Sequence, residues 1–424
     1  MVAMQDAPVE PGLALPDKPS IAVLPFVNMS GDSGQGYFAD GITDDLITDL
    51  SQVSGLFVIS RNSAFAYKDK VADPRQVAKE LGVRYVLEGS VQRAGDALRI
   101  NAQLIDAASG GHVWADRYDG SLSDVFKLQD KVTSSIADAL ALRLTAEHLQ
   151  IMSQKETKVP AAYDAFLRGW DHYRRATKDD YAKAIQYLEQ ATALDPEYGR
   201  AYAALALVHE TTATSGWHRG EGDFTTDTTI TIDRYLRVAE RYPTSTYYQA
   251  EGLSATDIGL YRDAADAFAK AIALDPSDSW SYALMARLLT LWGRPTEAMP
   301  YIQTAMRVDP RYPPVYLSFL GLAQFNLGQY EQAANSLAKA TSLNREDAAG
   351  FLLLGATYGH LGRKAEARTA VAAFDALMHQ RGLPPITATY AWGTWGFKKR
   401  EDRDRLYDGL ILAGVPERIP SKSR

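Results

Sequence analysis

Asp40, Asp44, Asp45 and Asp49 crowd four carboxylates into ten residues, the raw material of a divalent-metal site. Metal-assisted phosphoryl chemistry needs two such carboxylates converging from neighbouring strand elements. Here all four lie on one predicted helix beginning near Tyr37, and no second aspartate sits in a matching strand context. The expectation is that they complement the positive end of that helix and solvate its outer face. Gly31, Gly34 and Gly36 fall just before it, after a predicted buried strand. That is where backbone N–H groups cradle a phosphate in doubly wound folds. No Gly-Lys-Ser/Thr occurs there and the spacing matches neither nucleotide fingerprint, so a turn needing positive φ is the simpler account. A small ligand, if one binds the loop, would touch Asn28, Ser30 and Gly36.

Other chemistry finds little material. The seven histidines are scattered without helical metal-ligand spacing. No Gly-x-Ser-x-Gly occurs and no serine has a recognisable base partner. With no cysteine, disulfides, thiolate metal sites and a cysteine nucleophile are excluded. The sequence therefore predicts no catalytic residue, no metal and no cofactor. Lys398-Lys399-Arg400 follows Trp392, Trp395 and Phe397, a basic and aromatic mixture found in nucleic-acid binders. Glu401, Asp402 and Asp404 stand ready to neutralise it, so a terminal cap with a helix over 401–412 is expected instead. Trp114, Arg117 and Tyr118 lie on an alternating strand, where Trp114 is expected to pack beneath a closing helix and Arg117 to cover the edge.

The elements that position these residues change character along the chain. Ile21-Ala22-Val23-Leu24 is apolar at consecutive positions, as a strand buried on both faces requires. A helix over 37–53 follows, then a strand over 56–59, a helix over 74–81 with proline in its first turn, and a strand over 84–92. After Ala94-Gly95-Asp96 the period becomes two, with Leu98, Ile100, Ala102 and Leu104 apolar. Gly110-Gly111 turns into a last strand through Trp114, and Val125, Leu128, Val132, Ile136 and Leu140 stripe a closing helix. The order is βαβαβββα around a mixed sheet.

From Asp180 onward a helical pair repeats. Ala184, Ala264, Ala298, Ala333 and Ala367 are each followed four residues later by Leu188, Phe268, Ile302, Leu337 or Val371, on one helix face. Ala264 to Ala298 is 34 residues, a period that belongs to stacked helix pairs. Gly252, Ala286, Gly321 and Gly355 stand twelve positions before their anchoring alanines, where two helices must approach closely, and Gly259, Gly293, Gly328 and Gly362 mark the turns. Asp195-Pro196, Asp275-Pro276 and Asp309-Pro310 end helices. Ala184 to Ala264 is 80 residues, a surplus expected as a surface loop over about 211–229 carrying Trp217 and His218.

These small-and-large positions resemble tetratricopeptide repeats. The first domain, through KPSIAVLPF (18–26), YFADGI (37–42), LGVRYVLEGSV (81–91) and QLIDAASGGHVWADRYD (103–119), resembles the TolB-like domain that precedes such repeats in bacterial signalling proteins. The combination is most similar to the carboxy-terminal halves of class III adenylate cyclases, and similar halves occur in winged-helix regulators. The resemblance implies a leader over 1–18, a TolB-like α/β domain over 19–148, a linker over 149–160, a repeat solenoid over 161–380 and a capping segment over 381–424. It also implies a groove that binds a protein or peptide through Gln249, Leu253, Trp280, Arg287, Ser318, Phe325 and Asn326.

A net charge of −7 disfavours nonspecific nucleic-acid binding, and no run reaches membrane-spanning length. The leader lacks the basic start and apolar core of a secretory signal, which points to the cytoplasm. The expected role is a noncatalytic regulatory and interaction module. The alternatives are part of a cyclase or other nucleotide-dependent enzyme whose catalytic domain lies elsewhere, and the regulatory half of a winged-helix regulator.

Overall fold

The computed structural model describes residues 13–142, 157–214 and 224–418; Trp217 and His218 lie outside them. The chain divides into two compact units. The first runs to Tyr247 and includes two short turns, Leu274–Ser277 and Val308–Arg311; the second holds Tyr248–Ala273, Asp278–Arg307 and the chain from Tyr312.

In the first unit β1 (Ser20–Val23) is buried at every position, as its unbroken apolar run requires. It lies parallel to β3 (Phe57–Val58) on one side and β4 (Tyr85–Ala94) on the other. Beyond β4, β5 (Ala97–Asp106) and β6 (Gly111–Ser121) continue antiparallel, giving the order β3-β1-β4-β5-β6. A short β2 (Val27–Asn28) pairs with the far end of β4, and a five-residue helix, α2 (Arg61–Phe65), follows β3. Both are too short for hydrophobic periodicity to reveal. Leu98, Ile100, Ala102 and Leu104 are all buried, on the sheet face covered by α4 (Val125–Ala139), which packs in turn on α1 (Gly36–Ser51). On the other face α3 (Pro74–Leu81) sets Val77 and Leu81 against Ala22 and Val86. Tyr118 donates to Ser135 of α4 at 2.8 Å with Trp114 beside it, half-buried, while Arg117 reaches Asp119 on the exposed side.

The expected solvated face of α1 is instead an interface. Asp40, Asp44, Asp45 and Asp49 are each between 6% and 8% exposed. The cause is α5 (Pro160–Arg175), which packs on α1 and belongs to the same unit with α6 (Lys178–Leu194), α7 (Gly199–Thr214) and α8 (Phe224–Ala239). Asp44 accepts from the Trp170 indole at 3.1 Å and from Arg174 at 3.3 Å, with Arg61 at 3.5 Å. Asp45 accepts from the Tyr163 hydroxyl at 2.5 Å and Gln129 at 3.1 Å, and Arg200 pairs with it at 2.8 Å. Lys68 pairs with Asp40. Burial by itself raises a carboxyl pKa; around Asp44 the charges of Arg174, Arg61 and Arg200 overcome it and hold the group below its usual range. Around Asp40 burial prevails over Lys68 and the group stays above its usual range. Burial also draws the Arg61 guanidinium down to about 10.

The two turn segments add acids to this unit. Asp309 is fully buried and accepts from Asn62 at 2.9 Å and from the Ser63 hydroxyl. Asp275 accepts from the Thr48 and Ser51 hydroxyls, each at 3.1 Å. These aspartates thus do more than end a helix before proline.

The second unit is built from paired helices: α9 (Ser245–Asp257) with α10 (Tyr261–Leu274), α11 (Ser279–Leu291) with α12 (Pro295–Val308), α13 (Val315–Asn326) with α14 (Tyr330–Leu343), and α15 (Ala348–His360) with α16 (Lys364–Gln380). Ala264, Ala298, Ala333 and Ala367 are all completely buried. A Cβ on Gly252 would lie 2.6 Å from Phe268, on Gly321 2.5 Å from Leu337, and on Gly355 2.8 Å from Val371. The small residue of one helix thus receives the large residue of its partner. The turn glycines Gly259, Gly293, Gly328 and Gly362 have φ of 79°, 81°, 73° and 69°, the left-handed helix ending that glycine adopts without strain. After α17 (Ala388–Thr394), α18 (Arg400–Leu412) packs on α15, with Phe397, Leu406 and Leu410 fully buried.

Two stability predictions follow from these contacts. Asp44→Ala leaves the largely buried Arg61 without its nearest carboxylate, and the exposed Arg174 without its partner, and is expected to cost about 3 kcal/mol in denaturant unfolding. Because the Asp44 carboxyl is depressed, its stabilisation is complete above the unfolded-state value and is lost as pH falls through the lower folded value. Below about pH 4 the stability gap between the parent chain and Asp44→Asn therefore narrows. In the second unit Gly321→Ala overpacks against Leu337 and is expected to cost about 1–3 kcal/mol, whereas Gly393→Ala, facing open space in a helix, is neutral or stabilising by about 0.5–1 kcal/mol.

Candidate functional site

The seven residues expected to form a groove all fall in the second unit, but the structure divides them. Leu253, Trp280 and Arg287 are partly exposed, while Gln249, Ser318, Phe325 and Asn326 are buried. Trp280 sits in the first turn of α11, where Asp278 caps the backbone N–H groups of Trp280 and Ser281. Its ring stacks at 5.9 Å on Tyr316 and lies 6.2 Å from Phe319, and Tyr316 is fixed by its hydroxyl donating to Ser279 at 2.9 Å. The result is an aromatic platform shared by two successive repeats. Arg287, two turns further along α11, occupies the position that Leu253 and Leu322 hold in neighbouring repeats. Burial pulls its guanidinium below the usual range, with Asp257 and Tyr261 opposing the shift. It is a cation held near apolar surface with a distant counter-charge.

Four of the expected contacts need correction. Phe325 is completely buried and packs in the core with Tyr330 at 5.7 Å and His360 at 5.7 Å, so it has no ring face to offer a peptide. Asn326 donates its amide to Leu322 of its own helix at 3.2 Å, and its backbone carbonyl accepts from Arg405. Gln249 donates to Asp278 and, at 3.0 Å, to Ser281; Ser318 donates to Asp347 at 2.5 Å. Asp278 and Asp347 are the N-caps of α11 and α15, and each lies 29 residues beyond its partner. Gln249 and Ser318 therefore clasp the cap of the next repeat instead of facing a ligand. The equal spacing was visible in the sequence; the identity of the cap was the missing signal. What the sequence did not single out is the aromatic platform of Tyr316 and Phe319 under Trp280.

The glycine loop spends its polar groups on itself. Asn28 accepts from the Ser30 N–H at 3.0 Å and donates to the Asp32 carbonyl at 2.8 Å, Asp32 accepts from the Gly34 N–H at 2.8 Å, and the Ser30 hydroxyl accepts from the Arg93 N–H at 2.9 Å. Gly36 has φ of −58° and opens α1; only Gly31, at 76°, needs the left-handed region. Next to the loop, burial and then the Asp164 carboxylate push the Tyr37 hydroxyl up to about 12, so it remains a donor at 2.7 Å to Asp164. Among the described residues no three His, Cys, Asp or Glu side chains come together as metal ligands, and no helix is long and apolar enough to cross a membrane.

Comparison with known proteins bears on both parts. Residues 176–198 and 316–347 match the profile of the tetratricopeptide repeat family. These two stretches of the helical part are tetratricopeptide-like. Residues 17–135, ahead of the repeats, match the family described as HilA/YgeH-like transcriptional regulator, second domain. Over 214 residues the chain is 50% identical to a protein named "Putative adenylate cyclase 3" from Rhizobium meliloti (strain 1021), a match covering 50% of this chain and 36% of that relative. The chain thus spans about a third of that relative's length. Among solved structures, TolB from Acinetobacter baumannii is 23% identical with a TM-score of 0.24, covering 30% of this chain and 29% of that one. Pseudomonas aeruginosa PilF is 18% identical with a TM-score of 0.38, covering 52% and 91%.

Because Gln249 and Ser318 hold the caps of following repeats, Gln249→Ala and Ser318→Ala are each expected to lower stability by about 1 kcal/mol. Denaturant midpoints measured with an unchanged slope check this.

Proposed function

We propose that the chain is a noncatalytic regulatory and protein-interaction module of an adenylate-cyclase-type signalling system, working in the cytoplasm. The observation that carries this reading is the 50% identity to "Putative adenylate cyclase 3", confined to 36% of that relative: the shared stretch is one part of a longer protein of that name. In this reading an α/β domain over 19–148 is joined by a linker over 149–160 to repeats over 161–380 and a cap over 381–424. The repeats take a protein or peptide partner on the face of Leu253, Trp280 and Arg287. Trp280 with Phe319 supplies apolar area and Arg287 the charge, the division of labour that concentrates binding energy in a few anchors. No bound cofactor enters the proposal.

A second reading is the regulatory part of a transcription regulator, favoured by the match of residues 17–135 to the second domain of HilA/YgeH-like regulators. A cyclase catalytic domain encoded in frame with this sequence, or beside it, favours the first; a winged-helix domain favours the second.

Purified chain with ATP and magnesium or manganese is expected to form no cyclic AMP above the protein-free control, and sustained formation would refute the noncatalytic reading. The double variant Trp280→Ala, Arg287→Glu is expected to lose a partner recovered with the parent chain by at least tenfold in a pull-down with purified components. Undiminished capture rejects that face.

A further inference from the structure

We propose that the second unit carries a binding site for an acidic peptide segment of a partner protein, separate from the Trp280 face. It is built where the turn between α11 and α12 meets α10 and the segment entering α18. An open cavity of about 540 Å³ lies there, lined by Arg262, Ala265, Asp266, Trp292, Arg294 and Lys399, within the size range of small-ligand sites.

In a chain of net charge −7 this spot is cationic. Arg262 is exposed and has no ion-pair partner among the described residues. Lys399 gives one donor to the Gly293 carbonyl at 2.6 Å and forms no ion pair among the described residues, its electrostatic partner being the buried Asp402. The Lys398 ammonium stands 5.3 Å from the Trp292 ring and 5.4 Å from that of Tyr261, and the Arg294 guanidinium lies 4.7 Å from Trp292. Of these four cations only Arg294 has a carboxylate at ion-pair distance among the described residues, Glu297, which it holds through both guanidinium and carboxylate arms. Of the acids that follow Lys398-Lys399-Arg400 in sequence, Asp404 neutralises Arg400 and Asp402 lies within electrostatic reach of Lys399, but neither forms an ion pair with Lys398 or Lys399. Asp402 is buried, and Asp404 accepts from the Trp392 indole at 2.8 Å and pairs with Arg400 at 3.4 Å.

The cations are held in place. The Tyr261 hydroxyl donates to the Gly396 carbonyl at 2.6 Å and the Lys398 N–H to the Leu291 carbonyl at 2.8 Å, while Phe397 between them is fully buried. The lysines thus lie across the turn, and a Cβ on Gly293 would come within 2.4 Å of the Lys399 chain.

The sign pattern selects the occupant. Asp266 lines the same cavity, also without an ion-pair partner among the described residues. A nucleic-acid backbone presents negative charge along its whole length and cannot keep it away from Asp266. A peptide brings carboxylates to Arg262 and Lys399, a backbone N–H to Asp266 and an apolar flank to Trp292.

The test uses the full chain at low salt, about 50 mM, where screening is weak. The probe is a fluorescein-labelled Glu-Leu-Glu-Asp-Leu-Glu peptide followed by anisotropy, with Gln-Leu-Gln-Asn-Leu-Gln and an oligothymidylate as comparators. Saturable binding is expected, at least tenfold weaker for the amide peptide and for Arg262→Glu, retained in Arg262→Lys, and unchanged in Trp280→Ala, which separates this site from the face proposed above. Arg262 lies on an exposed helix surface, so its variants keep the fold, and a matching thermal melt confirms it. Lys399→Gln gives a second, weaker loss. Absence of saturable binding, equal binding of the amide peptide, full binding by Arg262→Glu, or tighter binding of the oligothymidylate overturns the proposal.

Discussion

The first unit depends on the neutralisation of the acids on α1. A helix with carboxylates at 40, 44, 45 and 49 cannot be covered unless each charge finds a counter-charge or a donor, because an isolated buried ion is too costly. Arg174 and Trp170 come from α5, Arg200 from α7, and Arg61 from α2. Remove the helical pair and the same face of α1 becomes an exposed acidic strip. The α/β fold and the first helices of the repeat region are therefore packed as one unit, joined by charge-assisted hydrogen bonds as well as by the buried Tyr163, Phe166 and Leu167 of α5. Such hydrogen bonds are directional, so they fix register as well as proximity.

The second unit works by a different rule. Each helix pair meets where a glycine or alanine faces a bulky side chain sixteen residues later, as Gly321 faces Leu337, and the alanine between the two contacts is always fully buried. Steric fit sets the distance between helices, and the glycine turn sets the angle at which the chain returns. Polar residues then join one repeat to the next, with Gln249 and Ser318 gripping the capping aspartate that follows. Few side chains remain for recognition. Trp280 and Arg287 on one side, and the Arg262–Trp292–Lys399 cluster on another, are two places where aromatic and cationic groups stay partly open.

Much of the fold was legible because it repeats or alternates. The helix over 74–81 is observed with the same bounds, the period-two run over 98–104 lies within β5, and the anchoring alanines occupy the buried positions their spacing demanded. The site was less legible. Phe325 and Asn326 share a helix face with exposed positions in the linear pattern, yet later parts of the chain cover them: Arg405 of α18 reaches the Asn326 carbonyl, and His360 of α15 lies 5.7 Å from the Phe325 ring. Spacing on one helix reports a direction around its own axis and says nothing about what lies across from it.

Local periodicity, turn residues and composition are enough to specify the longer helices and strands, the mixed sheet, the repeating pairs and the lack of thiol chemistry, though not the short β2 and α2. Tertiary structure alone decided which charges are solvated. Asp40 and Asp44 read as surface acids and are buried, whereas Lys398 and Lys399 read as neutralised and form no ion pair among the described residues. The reason is range: hydrophobic period is encoded within a few residues, but the counter-charge for Asp44 comes from Arg174, 130 residues away, and only folding chooses it.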